Sequence, residues 1–300
     1  MAASVLVTGG LGFIGSRLCD ALLDEGCDVR CVDDLSGRYA PVTGAAAASA
    51  LAARGAEVAV ERADAAYVRG MDAVIHVAAL PGVRTKHPGG LLYDTNVALP
   101  ERLATAARAQ RARFVLLSSS SVYGNANVLP TPEDTLPGPL NPYAASKVAA
   151  EKAVLACGGD PVIVRPFTVY GPGQRPEMAF ARWIRAIAAG EPVPWHAAPG
   201  TARDFTYVDD AVAGIVAALR CGRSGEAYNL SGWRSVDLRE ALALLEPSTV
   251  LELPASPAEA HVTHGCGRRA SAELGYAPRV ELREGLESQL AAATPRSIAA

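Results

Sequence analysis

Tyr143 and Lys147, in Tyr143-Ala144-Ala145-Ser146-Lys147, share one face if the stretch is helical. An ammonium so placed stabilises a tyrosinate, drawing a phenol whose ordinary pKa is about 10 toward neutral pH and fitting it for general-base work. Upstream lies a hydroxyl-rich run, Ser118-Ser119-Ser120-Ser121, followed by Val122-Tyr123-Gly124. A serine at the end of a strand can hydrogen-bond the same substrate oxygen that the tyrosine serves. A Tyr-x-x-x-Lys pair also arises by chance on many helices, so its weight depends on what surrounds it.

Near the N-terminus an apolar strand runs into Gly9-Gly10-Leu11-Gly12-Phe13-Ile14-Gly15, and a helical pattern follows. Gly9, Gly12 and Gly15 allow a tight turn, close approach of backbone N–H groups to a pyrophosphate, and close helix-to-sheet packing. The next strand ends at Asp33-Asp34, where a carboxylate can accept hydrogen bonds from an adenosine ribose and would repel a 2′-phosphate. The combination selects a dinucleotide, NAD in preference to NADP. Asp64, after the third strand, is a candidate for the adenine amino group, with a solvated loop aspartate as the plain alternative.

Elements must position these groups, and the first two-thirds of the chain supplies them. Short β-branched runs (Val5–Thr8, Val29–Asp33, Val58–Val60, Ala73–Ala78, Phe114–Ser118, Val162–Arg165) alternate with helical segments over about Phe13–Glu25, Leu91–Gln110 and Tyr143–Ala156. That alternation predicts an α/β fold, a parallel sheet covered on both faces. Ala45–Ala53 reads as a surface helix stopped by Gly55. After Pro166, Gly- and Pro-rich turns separate shorter elements and predict a second, smaller lobe. Its helices are expected around Met178–Ala189, around Asp209–Leu219 and from Asp237, where Glu240 makes a capping-box-like start. The two parts are expected to interleave, because Pro161-Val162-Ile163-Val164 is apolar enough for the first sheet.

Composition narrows the function classes. With 300 residues, a net charge of −3 and only 20% charged residues, an electrostatically driven nucleic-acid binder or polybasic membrane-surface protein is excluded. No apolar run approaches the ~18–20 residues of a membrane helix, and Met1-Ala2-Ala3-Ser4 lacks the basic start of a signal peptide. A cytoplasmic protein is expected. Six scattered cysteines fit reduced thiols, and His261, His264 and Cys266 do not complete a metal ligand set, so no metal is expected.

Together these residues carry a resemblance over nearly the whole chain. Gly9-x-x-Gly12-x-x-Gly15, His76-Val77-Ala78-Ala79, the serine run before Val122-Tyr123-Gly124, Tyr143 with Lys147, and Arg203-Asp204-Phe205-x-Tyr207-Val208-x-Asp210 resemble the extended short-chain dehydrogenase/reductases of the nucleotide-sugar epimerase and dehydratase branch. The resemblance implies a Rossmann-type doubly wound parallel sheet holding NAD over residues 1–166, with later segments returning to it. It also implies a smaller α/β C-terminal substrate-binding lobe over 167–300, taking a nucleoside diphosphate sugar. Ser119, Tyr143 and Lys147 become the catalytic set. Phe13, Ile14, Ser36, Gly37, Ala78, Ala79, Leu80, Asn96 and Pro166 join Gly9, Gly12, Gly15, Asp33, Asp34, Asp64, Tyr143 and Lys147 around the cofactor. Arg203 takes the place of a diphosphate-binding arginine, a structural ion pair being the plain alternative. Trp183, Trp195 and Trp233 read as packing, His76 as a hydrogen-bonded core histidine. Relatives pair through a four-helix bundle from the helices near Asn96 and Tyr143, so a homodimer is expected.

Local signals speak to the branch. Dehydratases of this family carry Asp-Glu directly after the catalytic residue; here stand Ser120 and Ser121. Phe167-Thr168-Val169-Tyr170-Gly171-Pro172-Gly173-Gln174-Arg175-Pro176-Glu177-Met178-Ala179 and Ala79-Leu80-Pro81-Gly82-Val83-Arg84 resemble UDP-glucuronate 4-epimerases. A C6 carboxylate needs hydroxyls and a cation, and Ser120, Ser121, Thr168 and Arg175 would supply them. The expected reaction is C4 inversion of UDP-glucuronic acid. The alternatives are a UDP-glucose 4-epimerase, a decarboxylating relative, or a non-catalytic NAD-binding regulator. Departures from the family pattern fall at the short Asp64–Asp72 segment, at Leu99 where a glycine is usual, and at Ala258-Glu259-Ala260 and Gly265-Cys266 in the C-terminal lobe.

Overall fold

The computed structural model describes residues 3–36, 40–82, 87, 90–255 and 258–293. Seven parallel strands form the central sheet, in the order β10-β6-β5-β4-β1-β2-β3. They are β1 (Ser4–Thr8), β2 (Asp28–Val32), β3 (Glu57–Ala59), β4 (Ala73–His76), β5 (Arg113–Leu117), β6 (Asp160–Pro166) and β10 (Ala227–Leu230). Val5, Leu6, Val7, Val74 and Ile75 are fully buried, as continuous apolar strands between two helical layers must be. The strand order reverses between β1 and β4, which opens a crevice at their carboxyl ends.

One face is covered by α1 (Phe13–Asp24), α2 (Ala40–Ala53), α7 (Val208–Cys221) and α9 (Arg268–Leu274), the other by α4 (Leu99–Gln110) and α5 (Pro142–Cys157). The sequence predicts one helix over Leu91–Gln110; the structure breaks it. A single turn, α3 (Leu91–Tyr93), passes into a π-helical stretch, Asp94–Ala98, before α4 begins. Pro100 at the head of α4 cannot donate to the preceding turn, so the hydrogen-bond ladder changes register there, and the wider turn buries Asn96. The short Asp64–Asp72 segment holds only a 3-10 turn, Ala65–Val68, capped by the Asp64 carboxylate on the Ala66 N–H at 2.7 Å.

A second core gathers the remaining elements. β7 (Thr168–Tyr170) and β11 (Ser235–Asp237) flank β9 (Ala202–Tyr207), and β8 (Val193–Trp195) pairs with β12 (Val250–Glu252). Packed on them are α6 (Ala179–Ala188), α8 (Leu238–Ala243) and α10 (Leu282–Ala293). Strand β10 lies in the large sheet although elements of this lobe precede and follow it in sequence, so the two parts interleave. Phe13 packs on the second core, and Ile14 on both this core and the one beneath α1.

Some local expectations need correction. Asp237 caps α8 through the Arg239 N–H at 2.7 Å, but Glu240 turns to Arg234 at 3.7 Å and closes no capping box. Trp183 and Trp195 stack at 5.8 Å inside the lobe, whereas Trp233 is 51% exposed on a turn with φ 72°. His264 Nε2 donates to the Trp233 carbonyl, Cys266 accepts from Arg268, and His261 abuts Gly200, so the three point to separate partners.

Candidate active site

Helix α5 starts cleanly because Pro142 occupies its first turn and the Asn141 side chain accepts the Ala144 N–H at 2.9 Å. Its 3.6-residue period then puts Tyr143, Lys147 and Glu151 on one face, toward the carboxyl ends of β4, β5 and β6. Asn96 fixes the neighbouring turn: it accepts the Leu80 N–H at 2.7 Å and donates to Leu80 O at 3.1 Å and Ser146 Oγ at 2.9 Å. Ser146 in turn donates to Tyr143 O at 2.7 Å. The amide of Asn96 is therefore fully engaged in shaping the pocket and presents no free donor.

Ser119, in extended conformation, caps the 3-10 turn Ser120–Tyr123 by accepting the Ser121 N–H at 3.1 Å. Burial pushes the Tyr143 phenol up, while the Arg175 guanidinium and the Ser119 hydroxyl pull it down. The Arg175 charge thus favours the phenolate. Lys147 does share the helix face with Tyr143, but its Nζ donates to Leu117 O at 2.9 Å and stands 6.0 Å from the ring centroid. Burial lowers the Lys147 ammonium to about 8, opposed by Glu151.

Two polar atoms of this cluster are buried without a hydrogen-bond partner, Ser121 Oγ and Arg175 Nη1. Arg175 Nη1 lies 3.1 Å from Glu177 Oε1, an ion pair without hydrogen-bond alignment, and Nη2 rests on Met178 Sδ at 3.5 Å. Ser120 is half-buried in the same 3-10 turn, and Thr168 half-buried on β7, just past Phe167, which stacks on Tyr123 at 6.3 Å. Arg203 stands apart: its guanidinium donates to Ala202 O, His261 O and, at 3.4 Å, Glu259. That is the arrangement of a structural strut, and a diphosphate there must displace Glu259.

The glycine turn has the predicted physical character. Gly9 takes φ +73°, and a Cβ on it would lie 2.6 Å from Ala78 N; a Cβ on Gly15 would lie 2.0 Å from Gly9 O. Gly12 caps α1 with no side-chain hydrogen bond, so first-turn N–H groups stay available to an anion. Asp33 spends both oxygens on this loop, accepting from Leu11 N at 3.1 Å and Leu35 N at 2.9 Å, and Asp34 accepts the Ser36 N–H at 2.9 Å. Ala79 and Leu80 follow the end of β4 and Pro166 ends β6, and Gly37 lies outside the described residues, as do Val83 and Arg84. Asp64 borders a cavity of about 460 Å³ with Arg62, Ala63, Asp94 and Arg102. An uncapped helix start, a turn that admits only glycine and carboxylates at the end of β2 fit the dinucleotide expected from sequence.

His76 is a buried histidine on Thr8, 2.7 Å from its Oγ1, with Nε2 unpartnered. Sequence reasoning missed a buried network beside it. Glu151 accepts from Ser118 Oγ and, bidentately, from Arg165 Nε at 2.9 Å and Nη2 at 2.6 Å. Arg165 also donates to Tyr123 Oη at 2.8 Å and Glu133 O at 2.8 Å. The available signal was an arginine ending an otherwise apolar strand and a glutamate one turn beyond Lys147, since buried charges come paired.

Residues 5–231 match the model of the NAD dependent epimerase/dehydratase family. The chain is similar to an uncharacterized UDP-glucose epimerase, YtcB, of Bacillus subtilis, 33% identical with 96% of each chain covered. It is also similar to UDP-glucuronate 4-epimerase 5 of Arabidopsis thaliana, 32% identical over 95% of this chain and 74% of the plant protein. Among solved structures, UDP-glucuronic acid 4-epimerase from Bacillus cereus with UDP-glucuronic acid and NAD superposes with a TM-score of 0.90 at 33% identity, covering 96% of this chain and 98% of that one.

Proposed function

Because the chain belongs to the NAD dependent epimerase/dehydratase family, we propose that it is an NAD-dependent nucleotide-sugar 4-epimerase that interconverts UDP-glucuronic acid and UDP-galacturonic acid. Residues 1–166, with later segments returning to their sheet, hold the cofactor, and 167–300 mainly hold the sugar nucleotide. One observation carries the choice of substrate: beside Tyr143 the Ser121 Oγ has no hydrogen-bond partner, and Arg175 Nη1, ion-paired with Glu177, makes no aligned hydrogen bond. Buried donors without acceptors cost free energy, and a carboxylate satisfies a hydroxyl and a guanidinium together.

NAD, when bound, supplies the acceptor and donor of a hydride at C4. The remaining work belongs to side chains. Tyr143 Oη takes the O4 proton as C4 becomes a ketone and returns it after the sugar has presented its other face. Ser119 Oγ shares that oxygen and steadies the phenolate. Lys147 keeps a positive charge beneath the site, and Arg175 both favours the phenolate and holds the C6 carboxylate. A 4-ketouronate is a β-keto acid, and loss of CO₂ needs the carboxylate bond perpendicular to the carbonyl. Ser120, Ser121, Thr168 and Arg175 would hold it near the ring plane and so suppress decarboxylation.

The test is incubation with UDP- and dTDP-sugars with and without C6 carboxylates, reading C4 inversion and CO₂ release by NMR. Inversion of UDP-glucuronic acid is expected; turnover confined to neutral hexoses would overturn the substrate while leaving the epimerase class. Arg175→Ala and Ser121→Glu should raise the ratio of decarboxylated to epimerised product, and an unchanged ratio would remove the carboxylate clamp. We also read the enzyme as a cytoplasmic homodimer joined through α4 and α5, whose outer residues Thr105, Ala145 and Leu155 are exposed. Among the described residues no helix is long and apolar enough to cross a membrane.

A further inference from the structure

Helix α5 carries a third charged group on its site face. Glu151 lies one turn past Lys147 and two past Tyr143, and is 5% exposed. Its carboxylate is fixed on both sides, by the bidentate Arg165 fork and by Ser118 Oγ. Ser118 is the residue before Ser119, and its N–H joins β5 to β6 through Val164 O at 2.7 Å. The same carboxylate therefore ties the helix that bears Tyr143 and Lys147 to the strand end that bears Ser119. Arg165 cannot swing away, since Tyr123 Oη and Glu133 O hold its third nitrogen.

We propose that Glu151 is a positioning residue for the reaction, which keeps the Lys147 ammonium charged and seats the strand end that carries Ser119. This inference rests on the proposed roles of Tyr143 and Lys147. A buried carboxylate needs no such placement for stability alone, because replacing a buried ion pair by apolar groups is often neutral. Its effect on Lys147 follows from what else faces that ammonium. From β4 comes His76, neutral in its buried pocket; from β5 the Leu117 carbonyl; from the π-helical turn the neutral Asn96. Asp94, Glu101, Arg102 and Arg108, on the turn and α4, are exposed to solvent, as is Tyr93 on α3. The positive charge of Arg165 is clamped to the Glu151 carboxylate itself. Glu151 is the negative charge that offsets the desolvation of Lys147.

The chain holds three lysines, Lys86, Lys147 and Lys152, so Lys147 can be followed individually by NMR of side-chain-labelled protein. In Glu151→Gln, which keeps the shape and an acceptor for Ser118, the Lys147 titration and the alkaline limb of the kcat profile should both move down by about one pH unit, the scale on which a single opposing charge acts. Glu151→Asp, shorter but charged, should bring both back toward the wild-type position even where its rate stays low. Lys147 titration unmoved in Glu151→Gln, with only a uniform fall in rate or thermal stability, would overturn the inference and leave a purely structural ion pair. The titration is read without turnover. Absence of C4 inversion on any sugar nucleotide would therefore count against the proposed function, whereas a stationary Lys147 would count against Glu151. Should Glu151→Gln not fold, the Glu151→Asp profile decides alone: a wild-type alkaline limb supports the role, and one displaced as far as about one pH unit opposes it.

Discussion

At the scale of single residues, the site sets two charges against burial. In the proposed reaction Tyr143 loses a proton inside a pocket that favours its neutral form, with the Arg175 charge and the Ser119 hydroxyl favouring the phenolate. Tyr143→Phe keeps the ring packing and removes the acceptor oxygen. It should retain NAD binding by calorimetry while kcat for C4 inversion falls by roughly 10²–10⁴-fold, the usual worth of a positioned general base. His76 gives an independent handle on stability. Burial, with Lys147 nearby, lowers its imidazole to about 3, so below its ordinary value the unfolded chain takes up a proton that the folded chain refuses. Stability from this group is present above about pH 6.5 and drains away as pH falls toward 3. Between pH 7 and pH 5 the wild type should lose about 2 kcal/mol relative to His76→Asn, measured by urea denaturation at both pH values. A constant difference between the two proteins would show that folding leaves the His76 imidazole near its ordinary pKa.

At the scale of elements, α1 and α5 each present the proposed site's groups from their first turn. The α1 start works because nothing but backbone occupies it. Gly15→Ala puts a methyl 2.0 Å from Gly9 O and 2.8 Å from Gly10 Cα, contacts that only a displacement of the turn can relieve. The expected result is loss of NAD binding of at least about tenfold in Kd with the fold intact by circular dichroism, because backbone N–H groups that miss the pyrophosphate by an ångström lose most of their interaction. Binding at wild-type strength would separate this turn from the cofactor. The π-helical stretch before α4 shows how an element can be legible in type and still wrong in detail. Apolar spacing over Leu91–Gln110 is helical throughout, yet Pro100 and the buried Asn96 amide decide where the ladder widens. Periodicity reports which face is buried and carries no information about the hydrogen-bond register behind it.

At the scale of the whole molecule, two cores are joined where Phe13 and Ile14 leave the glycine turn. A second clasp is Asp204, fully buried, which accepts the Gly232 N–H at 2.6 Å and the Gly265 N–H at 2.9 Å and so ties β9 to the β10–β11 turn and to the returning C-terminal segment. The proposed dimer would join the outer faces of α4 and α5. Sedimentation of the wild type should give twice the 31.0 kDa chain mass. Ala145→Arg with Leu155→Arg, both exposed on α5, should give a monomer whose thermal midpoint falls, and a double variant that still sediments as a dimer would move the interface elsewhere.

The sequence by itself determined the sheet, the glycine turn and the Tyr143–Lys147 face. Each of these is written in short-range terms: runs of buried side chains, residues that must lack a Cβ, and a spacing of four on a helix. It also marked Ser119 and Arg175 through their motifs. What those groups touch was decided by tertiary structure. That the Lys147 ammonium donates to Leu117 O, that Arg203 is held by Glu259, that Asn96 shapes the turn, and that Glu151 meets Arg165 and Ser118 all depend on contacts between distant segments. Local spacing fixes the direction in which a side chain leaves its element. Only the packing of strands and helices against one another fixes the partner it meets, and in a buried site the partner sets the charge.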